Sequence, residues 1–119
     1  MHYPDPAAVI GSHINAFNSR DLDALMAGFT EDAVWITGTS VVRGHAELTE
    51  FFAAALTGLL PTLGVQSLIA DGDLAACQLT ETLTADGEPR TYSIAGFYRI
   101  RDGLIASAKI YREGSAEVT

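Results

Sequence analysis

The stretch Val65–Arg112, VQSLIADGDLAACQLTETLTADGEPRTYSIAGFYRIRDGLIASAKIYR, decides how the rest of the chain is read. Asp-Gly recurs in it at Asp71-Gly72, Asp86-Gly87 and Asp102-Gly103, roughly every fifteen residues. This dipeptide tolerates the positive φ that tight hairpin turns demand. The runs between the turns carry branched and aromatic residues and read as strands over about 65–70, 74–84, 91–100 and 104–112. Strands joined by short turns pair antiparallel, so the segment is predicted to be a four-stranded meander.

Upstream the pattern is helical. Asp5-Pro6 pairs an N-cap acceptor with a proline at the first helical position. Ile10, His13, Ile14 and Phe17 then fall on one helical face, and that helix should end around Asn18–Ser19. Asp21 caps a second helix with Leu22, Leu25, Met26 and Phe29 at the same spacing, closed by Gly28-Phe29-Thr30. Ala33–Thr37 reads as a short strand, Gly38 as a turn and Val41-Val42 as a second brief strand. Gly44 opens a third helix with the stripe Leu48, Phe51, Phe52, Ala55, Leu56 and Leu59, which Pro61 stops. Helices first and strands afterwards is the α+β order.

At 119 residues the chain is one domain's worth, 1–119, long enough to bury a real core. A net charge of −8 disfavours nucleic acid and anionic membrane as partners, since both need a basic surface. The one cysteine, Cys77, allows no internal disulfide and fits a cytoplasmic location. The N-terminal residues do not read as a signal peptide, and no apolar run is long enough to span a bilayer.

Strand residues alternate faces. Cys77, Leu79, Glu81 and Leu83 are assigned to the face against the helices, with Tyr92, Ile94, Gly96, Tyr98 and Ile100 on the next strand. The last strand is assigned Leu104, Ala106, Ala108, Ile110 and Arg112 inward, and Ile105, Ser107, Lys109 and Tyr111 outward. Gly96, Ala106 and Ala108 then leave mid-sheet volume for a pocket, or Gly96 serves only to let the strand curve.

Phe17-Asn18-Ser19-Arg20-Asp21-Leu22-Asp23-Ala24-Leu25, followed by Phe29-Thr30-Glu31-Asp32-Ala33-Val34-Trp35, resembles the first half of the SnoaL-like family of the nuclear transport factor 2-like superfamily. Arg43-Gly44-His45-Ala46-Glu47-Leu48 with Phe51-Phe52 is similar to its third-helix entry, and Tyr98–Ile105 to its last hairpin. The resemblance implies a cone-shaped roll: three N-terminal helices packed against a strongly curved antiparallel sheet, usually as a homodimer. One fold here serves isomerases, cyclases, dehydratases, epoxide hydrolases and plain binding proteins. The catalytic patterns of known members do not carry over. Thr37 stands where ketosteroid isomerase-like members keep an aspartate base. His13 and Gly96 fall where they keep an oxyanion-hole tyrosine and aspartate, and polyketide cyclases also keep an aspartate near Gly96. The Asp-Arg-Asp set of limonene epoxide hydrolase-like members has no counterpart.

The polar residues assigned inward are the candidate chemistry. His13 is either a general acid or base or a core histidine bonded to a backbone carbonyl. Glu81 is either a buried proton-transfer group, the partner of Arg112 in an ion pair, or a group at the solvated rim, and Glu81 or Tyr98 would assist His13. Phe17, Trp35, Thr37, Tyr92, Gly96 and Arg112 are the candidate ligand contacts; Trp35 either stacks on a flat or cyclic ligand or fills the core, and Tyr92 and Tyr98 either meet a ligand oxygen or are structural. Cys77 reads as a small core hydrophobe. His2, His13 and His45 are scattered and give no metal-ligand spacing, so no cofactor is predicted. Two functions remain open. One is a cofactor-independent isomerase, cyclase, dehydratase or hydrolase acting on a hydrophobic oxygenated metabolite. The other is a non-catalytic ligand-binding or dimeric accessory domain. Phe97, Ala95 and Tyr111 on the outward face predict a homodimer through that face.

Overall fold

A computed structural model describes residues 3–57, 61–85 and 87–112. The order is α1 (Pro6–Asn18), α2 (Leu22–Ala27), β1 (Phe29–Thr37), β2 (Ser40–Arg43), α3 (Gly44–Thr57), β3 (Thr62–Asp71), β4 (Leu74–Ala85), β5 (Glu88–Arg101) and β6 (Leu104–Arg112). Leu59 of the α3 stripe and Asp86 of the second Asp-Gly pair lie outside the described residues. The caps work as their chemistry requires: Asp5 Oδ1 accepts from the Ala8 N–H at 2.8 Å and Asp21 Oδ1 from the Ala24 N–H at 3.0 Å.

The meander forms antiparallel in the order β6-β5-β4-β3, and Asp102 and Gly103 turn its last hairpin with φ of 55° and 77°. The sheet then extends past the meander. β1 lies beside β6 in parallel, and β2 pairs antiparallel with β1, giving a mixed six-stranded sheet that does not close. α3 packs on β1, and α1 packs on β3 and β4. Ile10, Ile14, Phe17, Leu48, Phe52 and Leu56 from these helices meet the inner face of the sheet, forming the α+β layers.

Three boundaries differ from the sequence reading. β1 starts at Phe29, so Phe29-Thr30 opens a strand instead of closing α2; Phe29 is buried and pairs with Ile105, and the Ile105 N–H donates to Gly28 O at 2.8 Å. β3 starts at Thr62, because the Asn18 side chain at the end of α1 bonds both backbone groups of Leu63 at 2.8 Å each. β5 runs back to Glu88 and includes Pro89, which sits where β5 is paired with β4 alone. There a missing N–H does not break a ladder.

The inner face holds Cys77, Leu79, Glu81, Ile94, Gly96, Tyr98 and Ile100 as assigned. On β6 the assignment fails at its start. Ser107 pairs with Arg99 but Ile105 pairs with Ile100, so Ala106 is an extra residue at a bulge. A bulge shifts the alternation by one. Ile105 is therefore wholly buried, Leu104 and Ala106 are off the inner face, and the assigned set resumes at Ala108 and Ile110.

Gly96 does not leave empty space either. Tyr98, two residues on and on the same face, lies back over it, and a Cβ at Gly96 would sit 2.6 Å from Tyr98 Cζ and 2.7 Å from Cε2. The glycine is the bed on which the ring lies. Gly96→Ala should therefore lose about 1–3 kcal/mol in denaturant unfolding by overpacking. In a Tyr98→Leu background the same change should cost less than half as much. Equal losses in both backgrounds would show that the ring is not the obstacle.

Candidate functional site

A cavity of about 150 Å³ lies between the helices and the inner face of the sheet. His13 and Phe17 reach it from α1, Trp35 and Thr37 from β1, and Phe51, Phe52 and Ala55 from α3. Leu79, Ile94, Ile110 and Tyr98 form the sheet side, and Glu81 and Arg112 close one end with Pro61 and Leu63. The α3 contribution was legible only as a helical stripe; nothing in the spacing distinguished residues that line a space from residues that fill one.

His13 is set among rings. Its imidazole centroid lies 5.6 Å from Phe29, 5.7 Å from Trp35, 6.1 Å from Tyr98 and 6.4 Å from Phe52. Nδ1 is fully buried and has no hydrogen-bond partner among the described residues, so the alternative of a backbone-carbonyl contact is not made at that nitrogen. An unpaired buried polar atom costs about 1–3 kcal/mol, and such groups in native proteins call for an explanation. Burial pushes the pKa of His13 down to about 4, so the ring is neutral at pH 7. On another side His13 faces a smaller recess of about 100 Å³ that Ser12, Leu25 and Gly28 also line.

Tyr98 presents a phenol that stays protonated: burial first, and then the Cys77 thiol beside it, push its pKa up. The Cys77 S–H donates weakly to Tyr98 Oη at 3.9 Å, and burial raises the thiol's own pKa. Cys77 is therefore a protonated core group, not a nucleophile. Tyr98 retains a hydroxyl proton able to bond a ligand oxygen.

Glu81 is buried, and both of its oxygens accept from Arg112: Oε1 from Nη1, and Oε2 from Nη2 at 3.2 Å. This hydrogen-bonded pairing holds the guanidinium more firmly in its charged form. The pair is the ion-pair alternative raised from the sequence. It leaves His13 without a coulombic partner: burial alone accounts for its lowered pKa.

Seven of the nine candidate residues thus meet at one cavity. Gly96 is covered by Tyr98, and Tyr92, opposite Glu81 in the β4–β5 ladder, is not part of the lining. Among the described residues no three His, Cys, Asp or Glu side chains group to hold a metal ion, and no helix is long and apolar enough to cross a membrane.

A family model described as SnoaL-like domain matches residues 10–108. A search of curated protein sequences gives no significant match. Several solved structures share the fold. TerC, co-crystallized with polyporic acid, is 22% identical with a TM-score of 0.82 over 90% of each chain. SalBIII, an epoxide hydrolase/cyclase-like enzyme of pyran ring formation in salinomycin, is 22% identical with a TM-score of 0.83 over 92% of this chain and 91% of its own. An LEH-like epoxide hydrolase of M. tuberculosis is 20% identical with a TM-score of 0.79 over 89% of this chain and 80% of its own. At these identities the likeness is one of fold.

The depressed pKa of His13 also fixes a pH dependence of stability. Between its folded value near 4 and an unfolded value near 6.5, the unfolded chain binds the extra proton. Stability therefore falls as pH drops through that window, by about 3 kcal/mol for this residue. In urea unfolding at pH 7 and pH 4.5 (chosen conditions, roughly the two ends of the window), His13→Phe should lose less stability on acidification than the parent. At pH 7 the variant should be at least as stable, because the unpaired Nδ1 is gone. An unchanged pH dependence would rule out a buried neutral imidazole.

Proposed function

The chain belongs to the SnoaL-like domain family, and from that premise we propose that it binds a compact, mostly apolar, oxygenated molecule in the cavity and catalyses a proton transfer on it without a cofactor. The observation that carries this reading is the unpartnered His13 nitrogen in an aromatic box, on a histidine that lines the cavity together with Tyr98. Tyr98 donates to the ligand oxygen and polarises it; neutral His13 takes the proton. An imidazolium is unstable among those rings, so the proton must be returned promptly, which suits an isomerase, cyclase, dehydratase or hydrolase step. The apolar walls exclude water and strengthen both contacts.

The non-catalytic alternative draws on a different observation: Glu81 is committed to Arg112, so no carboxylate assists His13. Deuterium exchange at the carbon beside the carbonyl of tetralone, followed by NMR, separates the two. Exchange above the buffer rate that falls at least about 100-fold in His13→Phe, with tetralone affinity by Trp35 quenching held within about threefold, supports catalysis. Activity should also fall as pH drops toward about 4, where the base becomes protonated. Binding without exchange leaves a ligand carrier.

The protein is also proposed to be a homodimer through the outer sheet face, and its lone thiol suits the reducing cytoplasm. Phe97 and Tyr111 stack edge-on at 5.7 Å there while half exposed, and Ile69 beyond them is 71% exposed. Light scattering should give twice the chain mass, and Phe97→Glu should give the monomer. A monomeric parent at micromolar concentration removes this assignment.

A further inference from the structure

Phe51, Ala55, Pro61, Glu81 and Arg112 line the inner cavity and also line an open groove of about 560 Å³. These five residues form a neck between two parts of one space. Ala54 and Leu83 complete the groove, so the ion pair is the only charged feature among its described lining residues. The inner part, at about 150 Å³, is below the roughly 300–1,000 Å³ of ordinary ligand pockets, and a typical ligand would have to reach through the neck.

The ion pair at that neck is not symmetric. The Glu81 side chain is 10% exposed and that of Arg112 is 46% exposed. The carboxylate lies deep and the guanidinium faces out. Glu81 accepts from two of its nitrogens, one N–H each. A guanidinium has five N–H donors in a planar fork, so among the described residues three remain for another acceptor. An anion arriving from the groove meets the positive end of the pair before the negative one. On a chain of net charge −8, the more exposed side of this neutral pair is its cationic one, at the opening of an apolar cavity.

We propose that the neck is a subsite for the anionic oxygens of an amphiphilic ligand, with the apolar body held by the cavity and groove and the anion held by the outward edge of Arg112. The ligand class is thus an aromatic or alicyclic acid. Glu81 orients Arg112 and is a positioning residue, not a proton carrier. This rests on the reading that the cavity binds a small molecule.

The test compares anilinonaphthalenesulfonate with its neutral parent N-phenylnaphthylamine, which share a ring skeleton and differ by the sulfonate. Energy transfer from Trp35, the chain's one tryptophan, reports binding to the protein, and the variants at the neck assign it to this place. The sulfonate should bind about tenfold more tightly than the neutral amine, a difference of about 1.4 kcal/mol. The double variant Glu81→Gln/Arg112→Met, which leaves no orphaned carboxylate, should abolish the preference, the sulfonate losing about tenfold relative to the neutral amine. Glu81→Gln alone keeps the guanidinium and should strengthen the preference. Equal binding of the two dyes to the parent, or a preference that survives the double variant, overturns the anion subsite and leaves the apolar cavity intact. No transfer from Trp35 to either dye overturns the cavity reading as well.

Discussion

The packing of Tyr98 across the bare backbone of Gly96 is the contact on which the interior depends. A side chain at position 96 would lift the ring. The ring in turn packs 6.1 Å from His13 and 6.4 Å from Trp35, and its hydroxyl lies against Cys77. With the ring displaced, the cavity would lose one wall, the histidine one of its four aromatic neighbours, and the phenol its position. The bulge at Ala106 acts with it, returning β6 to the phase that turns Ala108 and Ile110 inward on the adjacent strand.

Polar chemistry is divided between the two ends of this space. At one end a neutral imidazole and a neutral phenol sit among rings, both held uncharged by burial. At the other a carboxylate and a guanidinium neutralise one another and remain in contact with solvent through the arginine. A protein that placed Glu81 beside His13 would have raised the imidazole's basicity. Here the carboxylate is spent on Arg112, so His13 remains weakly basic and the apolar end stays free of charge.

The sequence carried the local elements well, because their causes are local. Asp5 and Asp21 cap helices with their own side chains, and the glycines of the turns supply positive φ. Seven of the nine candidate residues line one cavity because periods of 3.6 and 2 give the facing side of each element. What could not be read was non-local. The parallel pairing of β1 with β6 joins residues some seventy positions apart. Asn18 gives no sign in its own neighbourhood that its amide will take the place of a strand beside Leu63. The bulge at Ala106 replaces strict alternation, and alternation was the only rule available for that strand.

Gly96 illustrates why residue type alone misled. A glycine on an inward face has two structural meanings: space left for a ligand, or space left for a neighbouring side chain. Composition cannot choose between them, since both need the absence of a Cβ. The choice depends on whether the residue two positions away is long enough to lie back and is held there by what surrounds it. Tyr98 meets both conditions, fixed by Trp35 and His13 on one side and Cys77 on the other. The volume that remains for a ligand is therefore bounded by the aromatic ring and not by the glycine, and it opens toward Arg112.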